Sequence, residues 1–134
     1  MVPEGSNDEQ SDYYVKECEE FWTKSDKTVK SALAAMKYIE KAIELNPINH
    51  RAWGDKGFLL KQLGELETAL LCINKAISIK ADYTVAWYNK GVILGLMGKF
   101  REAIACYNET LKFDPNHIYA KRDLEVLLNI KNIK

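Results

Sequence analysis

Residues 52–76 read AWGDKGFLLKQLGELETALLCINKA, and residues 86–110 read AWYNKGVILGLMGKFREAIACYNET. The second stretch repeats the first at an offset of 34: Ala52 and Ala86, Trp53 and Trp87, Lys56 and Lys90, Gly57 and Gly91, Gly64 and Gly98, Ala69 and Ala103, Cys72 and Cys106, Asn74 and Asn108. Chance does not align so many identities at one offset, and a fixed period of about 20–50 residues is the signature of stacked supersecondary units. Carried back once more, the period sets Ala35 against Ala69, Lys41 against Lys75, Ala42 against Ala76 and Ile43 against Ile77, so a more divergent unit comes first. Pro47, Ala81 and Pro115 hold one equivalent position, and proline there suits the residues that follow a helix end.

Inside each unit the pattern is helical. Trp53, Gly57 and Leu60, then Ala69, Ile73, Ala76 and Ile77, recur at steps of three and four and mark two amphipathic helices. Gly64 and Gly98 fall between them, where a left-handed residue ends the first helix without a Cβ clash. Gly57 and Gly91 are expected to face Ala69 and Ala103, letting the paired backbones approach closely. A hairpin of this kind cannot bury its own apolar side, so units stack and the ends need covers. Ile118 to about Ile130, with Leu124, Leu127 and Leu128 among charged neighbours, reads as a terminal cap.

These residues resemble the tetratricopeptide repeat, which places an aromatic, a small, a large, then small, aromatic, small and proline at set positions. The middle unit supplies Trp53, Gly57, Leu60, Ala69, Ile73, Ala76 and Ala81, and the third Trp87, Gly91, Leu94, Ala103, Tyr107, Thr110 and Pro115. In the first unit Tyr14, Cys18, Phe21, Ala35, Ile39, Ala42 and Pro47 complete the pattern only with about five extra residues near Ser25 to Lys30. Those residues are expected to lengthen the turn, with Ser25 or Asp26 capping the second helix. Lys56 and Lys90 stand where the family more often has leucine, and their stems are expected to lie over apolar surface with the ammonium reaching water.

The resemblance implies an all-α fold, an α-solenoid of three helix-turn-helix units, the first divergent, plus a C-terminal capping helix. The expected organisation is a flexible segment over 1–10 and one domain over 11–134, with units at about 11–49, 50–83 and 84–117 and the cap at about 118–131. It also implies a concave surface, lined by the first helix of each unit, that holds a peptide or a partner protein. The groove residues carried over are Trp22, Arg51, Asp55, Phe58, Lys61, Gln62, Tyr88, Asn89, Val92, Leu96, Tyr119 and Arg122. Phe58, Tyr88 and Trp22 are the expected anchors, and Arg51, Lys61, Asn89 and Arg122 the expected polar contacts.

One branch of the family grips the C-terminal carboxylate of heat-shock chaperones with a clamp of Lys, Asn, Asn, Lys and Arg. Its places here hold Val15, Glu19, Asp55, Val85 and Asn89, or one unit later Gly54, Phe58, Asn89, Tyr119 and Asp123, of which Asn89 alone matches. A clamp-type adaptor is therefore not expected.

Composition narrows the rest. Nineteen basic residues cancel nineteen acidic ones, which argues against a nucleic-acid partner, for which a basic excess is usual. The longest run of apolar residues and glycine, 91–98, falls far short of the ~20 a membrane helix needs. Three cysteines without a CxxC pair fit a reducing compartment, and a cytoplasmic location is expected. His50 and His117 sit in inter-repeat turns away from any cysteine or carboxylate pair, so catalysis is not expected. No metal ligands are suitably spaced and no cofactor is expected; Cys72 and Cys106 read as packing residues. Gly91, Gly95 and Gly98 lack the strand and the Lys-Ser/Thr of a phosphate loop. The leading function is a protein-interaction scaffold; the alternative is a structural repeat module that self-associates through its open ends.

Overall fold

A computed structural model describes residues 4–130, and these form seven α-helices and no strand. They are α1 (Asn7–Lys24), α2 (Val29–Leu45), α3 (His50–Gln62), α4 (Leu66–Ile79), α5 (Thr84–Leu96), α6 (Phe100–Phe113) and α7 (Ile118–Asn129). Consecutive helices pair as hairpins, α1 with α2, α3 with α4 and α5 with α6, and α7 packs on α6. The all-α class is as expected; the first helices of the second and third hairpins start 34 residues apart, at His50 and Thr84, while α1 starts earlier, at Asn7. The sequence reading puts one domain over 11–134, whereas the helices group into two compact units that divide between Ala81 and Asp82. Repeats cohere through near neighbours in sequence, so a period does not by itself fix how many compact units form.

In the first unit, Val15, Cys18, Ala32, Ala35, Met36, Ile39, Ala42, Ala52 and Leu59 form one buried cluster. Ala69, Cys72, Ile73 and Ala76 of α4 are buried as well. A polar lock ties three helices together. The Ser11 hydroxyl donates to the Ala42 carbonyl at 2.7 Å, and the Asn49 amide donates to Ser11 Oγ at 3.0 Å and Asp12 Oδ1 at 2.9 Å. Asn49 also caps α3, its Oδ1 accepting from the Ala52 N–H, so a buried amide is satisfied on both sides.

The α3–α4 turn is a Schellman cap. Gly64 sits at φ +78°, its N–H donates to the Lys61 carbonyl and the Glu65 N–H to the Leu60 carbonyl, both at 2.9 Å. In the second unit Gly98, at φ +79°, repeats the arrangement onto Gly95 and Leu94. Gly57 faces Ala69 as expected, a Cβ there lying 3.1 Å from the Ala69 carbonyl oxygen, but the tightest neighbour of Gly57 and of Gly91 is a larger side chain. A Cβ on Gly57 would lie 2.6 Å from the Ile73 side chain, and one on Gly91 2.6 Å from the Tyr107 ring. Glycine in each seat therefore makes room for the large side chain one turn beyond Ala69 or Ala103. In the second unit Ala86, Ile93, Leu94, Ala103, Cys106, Tyr107, Thr110, Ala120 and Leu127 are buried.

The first hairpin absorbs its extra residues mostly as helix. α1 and α2 have 18 and 17 residues against 13 and 14 in α3 and α4. The α2 N-cap is Thr28, whose Oγ1 accepts from the Ser31 N–H at 3.2 Å. Asp26 works one step behind it: Oδ1 accepts from the Thr28 N–H and hydroxyl and the Ser31 hydroxyl, and these donors hold its carboxyl below its usual range. Without a glycine, Lys27 takes the left-handed backbone at φ 61°. Its ammonium donates to the Trp22, Thr23 and Ser25 carbonyls at the end of α1, where a cation also meets the helix dipole.

The segment over 1–10 is helical sooner than expected. Ser6 Oγ accepts from the Glu9 N–H at 3.2 Å and donates back to the Glu9 carboxylate, so α1 starts at Asn7. Residues 1–3 of that segment, and Lys131 at the expected end of the cap, lie outside the described residues.

Candidate functional site

The first helix of a repeat turns one side to its partner helix and leaves the other for contacts beyond the hairpin. On α1 and α3 that second side carries Trp22, Arg51, Asp55, Phe58, Lys61 and Gln62. Most of it is occupied by the chain itself. Phe58 packs against the buried cluster and meets the Trp22 ring edge-on at 5.8 Å, while the Lys61 ammonium lies 4.5 Å from the Phe58 ring centre. Burial pushes the Lys61 pKa down. The Lys27 ammonium stands 5.3 Å from the other aromatic, Trp22. The expected anchors Trp22 and Phe58 are thus half-buried partners of each other, because neighbouring helices bring their rings together, and of the six only Arg51 and Gln62 are exposed.

Above that aromatic pair lies a charged one. Arg51 of α3 donates to Glu19 of α1 at 2.6 Å. Asp55 stands beside Glu19 with Oδ2 buried and without a conventional partner. Burial first, then the hydrogen bond and charge of Glu19, push the Asp55 carboxyl up to about 9 against the opposing pull of Arg51. Burial beside a second carboxylate thus favours the protonated form of Asp55. Glu19 enters the sequence reading as one of the places where the chaperone clamp's residues are missing; its pairing with Arg51 across helices has no signature in the spacing.

In the second unit the corresponding side of α5 and α7 carries Tyr88, Asn89, Val92, Leu96, Tyr119 and Arg122. The Tyr88 hydroxyl donates to Asp123 Oδ2 at 2.7 Å, and its ring lies 4.9 Å from His117 and 5.8 Å from Tyr107. Burial and then Asp123 raise its pKa well above the ordinary phenol. The His117 Nδ1 accepts from the Ala120 N–H and caps α7, so this histidine carries a structural role. Asn89, expected as a polar contact, is only 7% exposed and is not available to a partner. Tyr119 and Leu96 are 57% and 62% exposed. The Arg122 guanidinium lies 5.2 Å from the Tyr119 ring and donates to Asp123 Oδ1 at 3.2 Å.

Beside these residues opens a cavity of about 250 Å³ lined by Val92, Gly95, Leu96, Phe100, Tyr107, Asp123, Val126 and Leu127. Asp123 is its one charged residue. Of the eight, the sequence reading names only Val92 and Leu96 as groove residues. The missing signal was present in the period: Gly95 stands 34 residues after Lys61, and Val92 after Phe58.

Away from these faces, Lys56 and Lys90 lay their ammonium groups 5.7 and 5.4 Å from the Trp53 and Trp87 ring centres. Each ammonium, expected to reach water, thus has an aromatic face as its partner. Cys18, Cys72 and Cys106 are buried free thiols, and burial pushes each thiol up. Among the described residues no helix is long and apolar enough to cross a membrane, and no group of three or more His, Cys, Asp or Glu is placed to hold a metal ion.

Comparison with known proteins agrees with the hairpins. Tetratricopeptide-repeat family models match residues 84–117 and 38–70. An uncharacterized protein of Methanocaldococcus jannaschii is 38% identical over 66 residues, which cover 49% of this chain and 71% of that protein. The TPR domain of Arabidopsis OM64 superposes with a TM-score of 0.81 at 20% identity, covering 91% of this chain and 97% of that one. The second TPR domain of human RPAP3, solved with the HSP70 peptide SGPTIEEVD, gives 0.79 at 16% identity over 92% and 98%. With the period, the glycine seats and the Schellman turns accounted for, the chain belongs to the tetratricopeptide-repeat family.

Proposed function

We propose that this protein is a non-catalytic interaction module whose first-helix faces bind a segment of a partner protein, without a chaperone-tail clamp. The observation that carries the reading is the exposed row on α5 and α7, where Leu96, Tyr119 and Arg122 remain outside the core. Tyrosine and arginine are among the types that dominate binding energy at interfaces, and an exposed apolar neighbour such as Leu96 extends the patch. A structural neighbour of this fold holds a peptide. At the place where the clamp has its arginine this chain has Asp123, already engaged by Tyr88, and a carboxylate there opposes an acidic tail. Zero net charge weighs against nucleic acid, and three buried free thiols suit a reducing, cytoplasmic setting.

Affinity capture from a lysate of the source cells tests it. Wild type and a Leu71→Ala control on α4 should retain the same proteins, and Tyr119→Ala/Arg122→Ala should lose them with its helical circular dichroism intact. Equal retention by all three ends the proposal. A second reading, association between copies of this chain, draws on the exposed Ile118, Val126, Leu128 and Ile130 at α7; one constant mass in sedimentation across the micromolar range excludes it.

A further inference from the structure

Helices α3, α5 and α7 start at His50, Thr84 and Ile118, 34 residues apart each time, so α7 stands on the period as a first helix. In α3 and α5 one side of the first helix is covered by the antiparallel second helix. Gly57 faces Ile73 of α4 and Gly91 faces Tyr107 of α6, and Trp87 and Leu94 border a cavity together with Glu102, Ala105, Cys106 and Glu109 of α6. The places of Trp87, Gly91 and Leu94 on α7 are held by Lys121, Glu125 and Leu128. Among the described residues no helix follows α7, and this side is open. Lys121 and Glu125 are exposed, as are Ile118 at 74% and Leu128 at 63%. At steps of three and four the four residues form one stripe. No ion pair among the described residues engages Lys121 or Glu125.

Two features choose what covers the stripe. A Cβ at Gly57 or Gly91 would lie 2.6 Å from the facing side chain, and α7 carries a glutamate at that place. A helix therefore cannot seat on α7 as closely as α4 and α6 seat on theirs, which leaves a wider approach with polar groups between. The stripe also matches itself when reversed: Ile118 with Leu128 and Lys121 with Glu125 are both centred on position 123. An antiparallel copy thus sets apolar against apolar and lysine against glutamate, each twice over, as a twofold interface requires. Resting on the self-association reading above, we propose that α7 packs antiparallel on α7 of a second copy, exchanging Lys121–Glu125 pairs about the twofold with Ile118–Leu128 contacts at both ends. The 12 residues of α7 span only about 18 Å, too short for the ~1,600 Å² of a standard interface, so the association is weak and reversible.

Sedimentation of the full chain across the micromolar range, up to hundreds of micromolar, tests this. The wild type should move from the mass of one chain toward that of two. Lys121→Glu or Glu125→Lys alone sets like charges face to face in both pairs and should weaken association at least tenfold at low salt. An equimolar mixture of the two variants should regain it, because each supplies the charge the other lacks; a misfolded variant could not be rescued in this way. Lys121→Gln and Glu125→Gln, with a smaller loss expected, serve if a reversal loses its helical circular dichroism. One constant mass for the wild type ends both this pairing and the self-association reading. Association that no substitution at Lys121 or Glu125 weakens, or a mixture that associates no better than its components, overturns the α7 pairing alone and leaves self-association to another surface. The capture experiment with Tyr119→Ala/Arg122→Ala tests partner binding independently of either result.

Discussion

Two equivalent faces of the repeat are finished differently. On α3, Phe58 and Lys61 pack with Trp22. On α5, one period later, Val92 and Gly95 leave a cavity bordered by Leu96, Phe100 and Val126. Backbone and turn chemistry are the same in both, down to the paired Schellman bonds. The contrast teaches that the helical scaffold and the binding surface are written by different positions of the repeat: one set is held by packing, and the other is free to fill or open.

The positions held by packing give the largest expected effect. Gly91→Ala drives a Cβ to 2.6 Å from the Tyr107 ring, an overpacking worth about 1–3 kcal/mol against about 1 kcal/mol returned as helix propensity. Urea unfolding should show a net loss of up to about 2 kcal/mol, and a comparable one for Gly57→Ala, whose Cβ would lie 2.6 Å from both Cγ1 and Cδ1 of the buried Ile73 and 3.1 Å from the Ala69 carbonyl oxygen. Gly95→Ala, whose Cβ would meet nothing within 4 Å, should keep or raise stability. A destabilised Gly95→Ala, or an unaffected Gly91→Ala, would erase the distinction between seat and opening.

A smaller effect separates the two faces by pH. Asp55 is ionised in the unfolded chain above about 4 but stays protonated in the fold up to about 9. The native state therefore binds the extra proton between those values, so this group's contribution to stability falls as pH rises through the window and levels off above it. Asp55→Asn removes that slope and should raise stability near pH 7, by on the order of 1 kcal/mol. Unchanged pH dependence of unfolding in the variant would show that the fold does not raise the Asp55 carboxyl. The cavity face on α5 should be indifferent to this change.

Much of the scaffold was legible because it rests on single residues at fixed spacing. The period gave three hairpins, and Gly64 and Gly98 gave the turns with the expected left-handed backbone. What escaped depends on which side chains meet across helices. Asn89 shares its helix side with Tyr88 in the sequence yet is buried, and Phe58 reads as free yet finds Trp22 from another helix. Thr28 takes the α2 cap ahead of Ser25 and Asp26 because an extra turn of helix, invisible in the spacing, uses up the inserted residues. Gly95 was readable by setting it against Lys61, but only once the structure showed that nothing inside the chain needs it.

The most direct test of an open α5 face and a filled α3 face is an NMR map of intermolecular NOEs from benzene added to the wild-type chain, since an apolar cavity of ~150 Å³ already accepts that ring. Contacts to Val92, Val126 and Leu127, with none to Trp22 or Phe58, are the predicted result. Contacts to Trp22 and Phe58, with α5 and α7 silent, would contradict it.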